Sequence, residues 1–371
     1  MVTLSAEHPV SDDFRAALGA SIAAFLDEQE AVLRALDPAA APLLARARDF
    51  TAGGKRLRPA FAAWAWVASG GSPALPEGVL NAAASLDVLH VSALMHDDVM
   101  DASDERRGVP AAHRQFEADH REQGRRGDPE AFGRAGAILL GDLLLVWSEE
   151  MFRRSGLPPE ALQRAYPHLE AVRTEVTTGQ YLDVVAQSQD PYAISRTPAG
   201  RERLVEMIRT VVTWKSASYS IRRPMLVGAA VAGAEPAVID ALSAAGQPLG
   251  RAFQYRDDVL GVFGDEALTG KESGEDVREG KLTLLAAEAF IRADDADAAE
   301  LAALFGDPAL TAAQVERARA LITGSGAREA VEAEIRREYD AALELLAAAP
   351  LTPEGRDGLS ALARLAVRRD F

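Results

Sequence analysis

Three carboxylates stand close together at the end of an apolar stretch of the chain. Asp97, Asp98 and Asp101 follow a run of mostly apolar residues that ends at Met95. At about 100° per residue, Asp97 and Asp101 lie one helical turn apart on one face, with Asp98 beside them. Like charges at that spacing repel each other by roughly 0.2–0.5 kcal/mol in an isolated helix. Oxygen ligands suit a hard cation such as magnesium, which also binds phosphates, so the pattern predicts a diphosphate held through metal.

A second acidic pair, Asp257 and Asp258, lies near the end of another apolar helix, which is predicted over residues 237–262. One Asp-Asp pair by itself is more typical of a solvated helix end. Here both pairs follow apolar runs, and two helices packed antiparallel or face to face could aim both pairs into one cavity. The sequence therefore favours a shared metal site over two unrelated surface patches.

The basic residues that could meet a diphosphate fall into three groups along the chain: Lys55, Arg56 and Arg58; Arg106 and Arg107; and Lys215, Lys271 and Lys281. Arginine suits bidentate contacts with phosphate, and lysine supplies a point charge. Gly53 and Gly54 would let bare backbone approach a phosphate closely beside Lys55. Each of these cations taken alone could be an ordinary surface residue. His90, which lies in an apolar run, is by itself more typical of a buried core histidine.

Composition restricts the classes of partner. The 371 residues include 48% hydrophobic residues, ample for a buried core, and no cysteine, which excludes disulfides and thiolate metal sites and fits a reducing compartment. A net charge of -16 argues against a nucleic-acid partner. No signal peptide is visible at the N-terminus, and the most apolar run, 137–147, is too short to span a bilayer and contains Asp142. We therefore expect a cytoplasmic protein without stable membrane insertion, which binds small anionic substrates through local basic clusters.

The periodicity is helical throughout. Ser11 is a plausible N-cap for a helix with Phe14, Leu18, Ile22, Phe25 and Leu26 on one face. Further long helices are predicted over 136–151, 161–187 and 202–222, and Pro224 predicts a break or kink. No segment shows the alternation of a strand, and no repeat or long linker divides the chain. The fold class predicted is all-α, with one domain over residues 1–371.

A set of motifs then occurs in a fixed order between about Gly53 and Lys281: GGKRLRP, LHVSALMHDDVMD, RRG, GQYLD, KSA, FQYRDD and TGK…EGK. With these motifs the sequence resembles the polyprenyl synthetases, the trans-isoprenyl diphosphate synthases, and is most similar to geranylgeranyl diphosphate synthases. One acidic motif would be a weak indication, whereas the ordered set is highly specific. The resemblance implies the isoprenoid synthase fold, a bundle of antiparallel helices around a deep apolar pocket, usually as a homodimer.

The resemblance also implies roles for the matching residues. Metal binding is implied for Asp97, Asp98, Asp101, Asp257 and Asp258, with Asp183 of GQYLD acting through water. The metal would be magnesium, typically three ions, and manganese could replace it. Contacts with the allylic diphosphate are implied for Arg106, Lys215, Lys271 and Lys281, and contacts with isopentenyl diphosphate for Lys55, Arg58, His90 and Arg107. Gln254 and Ser216 match positions near the nascent carbocation.

The reaction implied is ionisation, condensation and elimination. Metal ions and basic side chains stabilise the departing diphosphate of an allylic substrate, which is dimethylallyl, geranyl or farnesyl diphosphate. The double bond of isopentenyl diphosphate attacks the allylic cation, and the proton leaves to the diphosphate itself. No dedicated side-chain base is then needed.

Small residues before the first acidic motif predict the product length. In the family, bulky aromatic residues near the positions of Ser92 and Ala93 stop chain growth early, and both residues are small here. Leu89 or Val88 offers the next barrier, about 5 Å deeper along the helix. The product expected is geranylgeranyl diphosphate, with farnesyl diphosphate or a longer chain as the alternatives. Ser92 could instead simply face a neighbouring helix.

The sequence departs from the family pattern at three points. The fifth position of the second acidic motif, often aspartate, is Gly261, and Ser216 replaces a threonine while keeping the hydroxyl. One extra residue lies between Lys271 and Lys281, which leaves the role of Asp276 open. A class I terpene cyclase would need a different second motif and would not need GGKRLRP. A non-catalytic partner subunit would lose acidic-motif residues, and all five are present.

Overall fold

The structure, a computed structural model, describes residues 2–106, 108–264 and 274–368. Arg107 and Lys271, both expected to contact substrate, lie outside the described residues. The described residues are mostly helical and include almost no strand, which confirms the all-α prediction. The chain forms two compact units, and the single domain over 1–371 stays a prediction.

The first unit contains Met1–Tyr166, Val227–Ala234 and Leu351–Leu362. Up to residue 153, its helices are α1 (Asp12–Leu36), α2 (Ala41–Thr51), α3 (Leu57–Ala68), α4 (Glu77–Met100), α5 (Ala112–Glu122) and α6 (Pro129–Arg153). A short 3₁₀ helix, Pro38–Ala40, lies between α1 and α2. The expected N-cap of α1 is confirmed, because the backbone N–H of Phe14 donates to Ser11 Oγ over 3.2 Å. The expected apolar face of α1 is buried.

Helix α4 is the central element of the first unit, and it packs against α6, α3 and α1. Its residues are buried on nearly every side, which agrees with the apolar run read from the sequence. Helices α4 and α6 are both long and apolar enough to cross a membrane by length and composition alone, with 67% and 39% of the tested window buried. A core helix of a soluble protein, which is mostly buried as α4 is, meets the same criteria, so two such helices are weak evidence for a membrane span.

The second unit contains Pro167–Leu226, Glu235–Pro350 and Ala363–Phe371. The helices from residue 159 onward are α7 (Pro159–Gln187), α8 (Pro191–Ser195), α9 (Pro198–Val211), a π-helix (Val212–Arg222), α10 (Arg223–Ala232), α11 (Pro236–Phe263), α12 (Glu275–Arg278), α13 (Leu284–Arg292), α14 (Asp295–Leu304), α15 (Ala312–Gly324), α16 (Ala327–Ala348) and α17 (Pro353–Arg368). Within this unit α11 packs on α16 and on the π-helix.

Three local expectations need correction. The helix expected over 202–222 changes at Val212 into the π-helix, and α10 continues through Pro224, so the chain does not break there, while a kink at this proline stays a prediction. The backbone N–H of Arg223 donates to the carbonyl oxygen of Ser218, five residues earlier, which is the hydrogen-bond spacing of a π-helix. The chain also forms one short antiparallel strand pair, β1 (Glu105–Arg106) and β2 (Val109–Pro110), where no strand was expected.

Candidate functional site

The first acidic group lies at the C-terminal end of α4, where the sequence places it. Asp97 and Asp98 belong to the last turn, and Asp101 is the C-cap residue, whose N–H donates to Asp97 O over 2.8 Å. Asp98 is almost fully buried, whereas Asp97 and Asp101 are half-buried. The structure therefore keeps all three carboxylates within one turn of each other, at different depths.

The short strand pair brings a cation to this group. Arg106, on β1, donates from Nε to Asp98 Oδ1 over 2.7 Å, and its Nη2 contacts the same oxygen. Two residues expected from sequence to serve the allylic diphosphate are thus in direct contact. The turn that joins the strands contains Gly108, whose φ of +75° is in the left-handed region that favours glycine.

The three basic residues of the GGKRLRP motif differ in burial. Arg56 has a φ of +53° and is buried, and its guanidinium pairs with Asp87 of α4 and donates to Thr51 O over 2.7 Å. Arg56 is therefore a structural residue that holds the loop against α4. Lys55, in contrast, is exposed, and Arg58 is half-buried in the first turn of α3. Sequence reasoning missed the Arg56–Asp87 pair, although the lone charge in an apolar run was its signal.

The residues expected to set product length lie in the middle of α4. Val88, Leu89 and Ser92 are buried, and Ala93 and His90 are half-buried. The hydroxyl of Ser92 donates to the carbonyl oxygen of Gly141 on α6 over 2.7 Å. Ser92 therefore does face a neighbouring helix. Its role in setting the product length stays a prediction, and any substitution of Ser92 that removes the hydroxyl also removes this hydrogen bond to α6.

In the second unit, α7 and the π-helix bring two more of the expected residues together. Lys215 Nζ donates to Asp183 Oδ2 over 2.6 Å, and Gln187 Nε2 donates to the same oxygen over 3.0 Å. The close approach depends on Gly179, because a Cβ atom there would lie 2.6 Å from Lys215 Cα. Ser216, next along the π-helix, is half-buried. The glycine of GQYLD thus allows the lysine of KSA to reach the aspartate.

The second acidic pair lies near the end of α11, and its two members differ. Asp257 is exposed, whereas Asp258 is buried and accepts a hydrogen bond from Gln254 Nε2 over 2.7 Å. Burial raises the pKa of Asp258 to about 7. The nearby charge of Lys281 and the Gln254 hydrogen bond oppose this rise, and the carboxylates of Asp276 and Asp257 add to it.

The chemistry of these residues fits a divalent cation. Among the described residues, no three Asp, Glu, His or Cys side chains form a group that could hold a metal ion by itself. Magnesium typically binds through one or two carboxylates and completes its shell with water and substrate phosphates. The buried Asp258, with acidic neighbours and a raised pKa, would be stabilised as a carboxylate by such an ion. The two acidic groups belong to different units, so their joint use stays a prediction.

Comparison with known proteins agrees with these motifs. The sequence profile described as polyprenyl synthetase matches residues 42–322. A short chain isoprenyl diphosphate synthase of Methanothermobacter thermautotrophicus is 33% identical over 268 residues, which is 72% of this chain and 73% of that protein. A geranylfarnesyl diphosphate synthase of Aeropyrum pernix is 30% identical over 322 residues, which is 86% of this chain and 91% of that protein.

A solved structure is similar over nearly the whole chain. It is the crystal structure of a geranylgeranyl pyrophosphate synthase from Corynebacterium glutamicum, complexed with isoprenyl diphosphate and magnesium. The two chains are 39% identical with a TM-score of 0.89, and the match covers 96% of this chain and 99% of that one.

Proposed function

Because the chain belongs to the polyprenyl synthetase family, we propose that it is a trans-prenyltransferase that joins isopentenyl diphosphate to an allylic diphosphate. The observation that carries the proposal is the pairing of a carboxylate with a cation at two of the matched motifs. Asp98 lies against Arg106 in the first unit, and Asp183 lies against Lys215 in the second. A site that must bind both metal ions and a diphosphate needs both kinds of charge.

Each group has a distinct part in the proposed reaction. Arg106 and Lys215 donate hydrogen bonds to the allylic diphosphate and stabilise its charge as the carbon–oxygen bond breaks. Bound magnesium supplies Lewis-acid stabilisation of the same leaving group. Lys55, Arg58 and His90 hold isopentenyl diphosphate, with its double bond oriented toward the allylic carbon. The Gln254 amide oxygen and the Ser216 hydroxyl present partial negative charge to the carbocation.

We assign magnesium to Asp97, Asp98, Asp101, Asp257 and Asp258, with Asp183 acting through water. The assignment is supported by the oxygen-only ligand set and by the raised pKa of the buried Asp258, which a cation would lower. Manganese, which prefers the same ligands, is expected to replace magnesium. The contribution of Arg107 and Lys271 is carried over from the family motifs alone, since both lie outside the described residues.

The proposed product is geranylgeranyl diphosphate or a somewhat longer chain. Ser92 and Ala93 are small, so neither of them places an aromatic ring at this level of α4. The names of similar proteins, which include geranylgeranyl and geranylfarnesyl diphosphate synthases, support the same range. Val88 and Leu89 are the residues proposed to limit growth.

We also propose that the protein is a cytoplasmic homodimer. Phe132, Leu139 and Val146 are exposed on α6 and recur every seven residues, so they lie on one face of the helix. A second copy of the chain would remove this apolar face from water. Light scattering on the purified protein measures the mass directly, and a monomer at micromolar concentration would contradict the dimer.

The proposed activity is tested by incubating the purified chain with labelled isopentenyl diphosphate and, in turn, dimethylallyl, geranyl and farnesyl diphosphate. We expect chain elongation with at least one primer and a main product of twenty carbons or slightly more. An absence of elongation with all three primers would contradict the proposed activity. A main product of fifteen carbons would contradict only the proposed product length.

A further inference from the structure

Gly261 lies one turn after Asp257 on α11, at the motif position that is often aspartate. The space that a side chain would take here is already filled. A Cβ atom on Gly261 would lie 2.6 Å from Asp276 Cγ and 2.9 Å from Oδ1, and it would overlap Oδ2. Non-bonded carbon atoms normally approach to about 3.5–4.0 Å. Asp276, as the structure places it, therefore requires a glycine at position 261.

The carboxylate of Asp276 reaches this place from a separate segment of the chain. Asp276 belongs to the short helix α12 and is buried. Gly274, with a φ of +84°, begins the turn and accepts a hydrogen bond from the N–H of Val277 over 3.1 Å. The N–H of Lys281 donates to Asp276 O over 2.9 Å. These backbone contacts fix the direction from which Asp276 approaches α11.

The Asp276 carboxylate also acts on the second acidic pair. Its charge is one of the influences that raise the pKa of Asp258, although burial is the largest. An aspartate at position 261 would project its carboxylate over the turn that carries Asp257 and Asp258, since residues four apart share a helix face. Asp276 thus places its carboxylate against α11 at position 261, where the glycine itself has no carboxylate.

We propose that Asp276 supplies the third carboxylate of the second acidic group. Because Gly261 has no side chain, it leaves the space in which this carboxylate lies. The glycine is then one half of a compensating pair, and the motif has not lost a carboxylate. The inference deepens the proposed function and rests on it, because it takes Asp257 and Asp258 to bind metal.

Binding of Mn²⁺ tests the pair without relying on turnover. The affinity is measured by electron paramagnetic resonance of free Mn²⁺, in the presence of inorganic diphosphate, for Gly261→Ala, Asp276→Ala and the double variant. We expect each single change to weaken binding about tenfold or more, the usual cost of disturbing a residue that supports a metal site. The double variant should bind no more weakly than Asp276→Ala, since the methyl group acts only through Asp276. Parent-like affinity in Gly261→Ala, or additive losses in the double variant, would overturn the proposal.

A reciprocal exchange covers the case in which Gly261→Ala does not fold. In Gly261→Asp/Asp276→Gly the carboxylate moves onto α11 and the overlap disappears. This variant should fold, as judged by its thermal midpoint, and bind Mn²⁺ more tightly than Asp276→Gly alone. Equal weakness of the two variants would overturn the proposal. Asp340→Ala, which removes an exposed carboxylate from α16 in the same unit, is the matched control and should bind like the parent.

The proposed function and this inference fail in different ways. A parent protein that binds Mn²⁺ with diphosphate but elongates no primer would overturn the proposed function, while the variant series still decides the inference. A parent protein that elongates normally, with Gly261→Ala unchanged in Mn²⁺ affinity, would overturn the inference alone.

Discussion

The ends of α4 and α11 each carry one buried carboxylate beside more exposed ones, two on α4 and one on α11, but the two buried carboxylates have different hydrogen-bond partners. Asp98 accepts a hydrogen bond from the guanidinium of Arg106 over 2.7 Å. Asp258 accepts one from the neutral amide of Gln254, and burial raises its pKa to about 7 despite the nearby Lys281. The buried carboxylate of the first acidic group thus has a fixed counter-charge, whereas we propose that the second group depends more on a cation that binds from outside.

The same distinction separates the basic residues of the first unit. Arg56 is buried and its charge is taken up by Asp87, so it serves the fold. Lys55 is exposed and Arg58 is half-buried at the start of α3, where a ligand could reach them. A buried basic side chain and two more exposed ones therefore occur within four residues of each other.

The largest effect is expected from Asp97→Ala. Loss of this carboxylate weakens metal binding and leaves the departing diphosphate unstabilised, so kcat should fall by about a thousandfold, or about 4 kcal/mol. Steady-state incorporation of labelled isopentenyl diphosphate measures the loss. Asp49→Ala, which removes an exposed carboxylate from α2 of the same unit, is the control and should leave kcat unchanged. Near-normal turnover of Asp97→Ala would contradict the assignment of the first acidic group.

The basic loop gives the next effect, in two contrasting variants. Arg56→Ala leaves Asp87 buried without its guanidinium and should lower the free energy of unfolding by about 3–5 kcal/mol. Arg58→Ala should raise the KM for isopentenyl diphosphate sharply while the thermal midpoint stays nearly unchanged, because Arg58 is only half-buried in the first turn of α3 and is proposed to contact this substrate. Kinetics and thermal unfolding of both variants separate the two roles. An unstable Arg58→Ala protein with a normal KM would show that Arg58 serves the fold.

The raised pKa of Asp258 predicts a smaller, pH-dependent effect in the metal-free protein. The Asp258 carboxyl binds its proton more tightly in the folded state, where its pKa is about 7, than in the unfolded state, where the ordinary value is 3.8. Between about pH 4 and about pH 7 the folded state therefore holds a proton that the unfolded state has lost. The free energy of unfolding should therefore fall as the pH rises from about 4 to about 7 and then level off. Denaturant unfolding in the presence of a chelator measures this slope.

Asp258→Asn is the matched control for that slope, because the amide has nearly the same shape and does not titrate. The variant should lose part of the decline in stability between those pH values. A bound Mg²⁺ with inorganic diphosphate should reduce the slope in the parent, since a cation favours the carboxylate. An identical slope in Asp258→Asn would mean that other groups titrate in this range.

The smallest expected effect is a change of product in Ser92→Phe. An aromatic ring at this level of α4 should shift the main product toward farnesyl diphosphate without destroying condensation. The same change removes the hydrogen bond to Gly141 O, so Ser92→Ala is the control for that loss. Ser92→Ala should cost about 1 kcal/mol in stability and leave the product unchanged. An unchanged product distribution in active Ser92→Phe would place the limit of chain growth at other residues.

Sequence patterns predicted what depends on neighbouring residues. The N-cap at Ser11, the helical runs and the helix-end position of both acidic groups all follow from periodicity and capping, which are local. The π-helix is a local feature with no such signal, because its composition differs little from that of an α-helix. Backbone bonds that span five residues, such as the one from Arg223 N–H to Ser218 O, distinguish it.

Contacts between distant parts of the chain were the features that the sequence left open. Arg56 and Asp87 lie on different elements, so their pairing depends on how α3 and α4 pack. The glycine at position 261 appeared as a missing carboxylate until the structure placed Asp276 against it. In both cases the residue type was informative, but the partner could be identified only once the fold was known.

The central claim, that the chain transfers prenyl groups with a metal held by its carboxylates, is tested most directly by one measurement. Purified protein is freed of metal by exhaustive chelation and given farnesyl diphosphate and labelled isopentenyl diphosphate, before and after Mg²⁺ is added back. We predict no labelled product without metal and a twenty-carbon diphosphate once Mg²⁺ is present. Equal turnover in the metal-free protein, or no turnover after Mg²⁺ addition with this or any shorter primer, would contradict the claim.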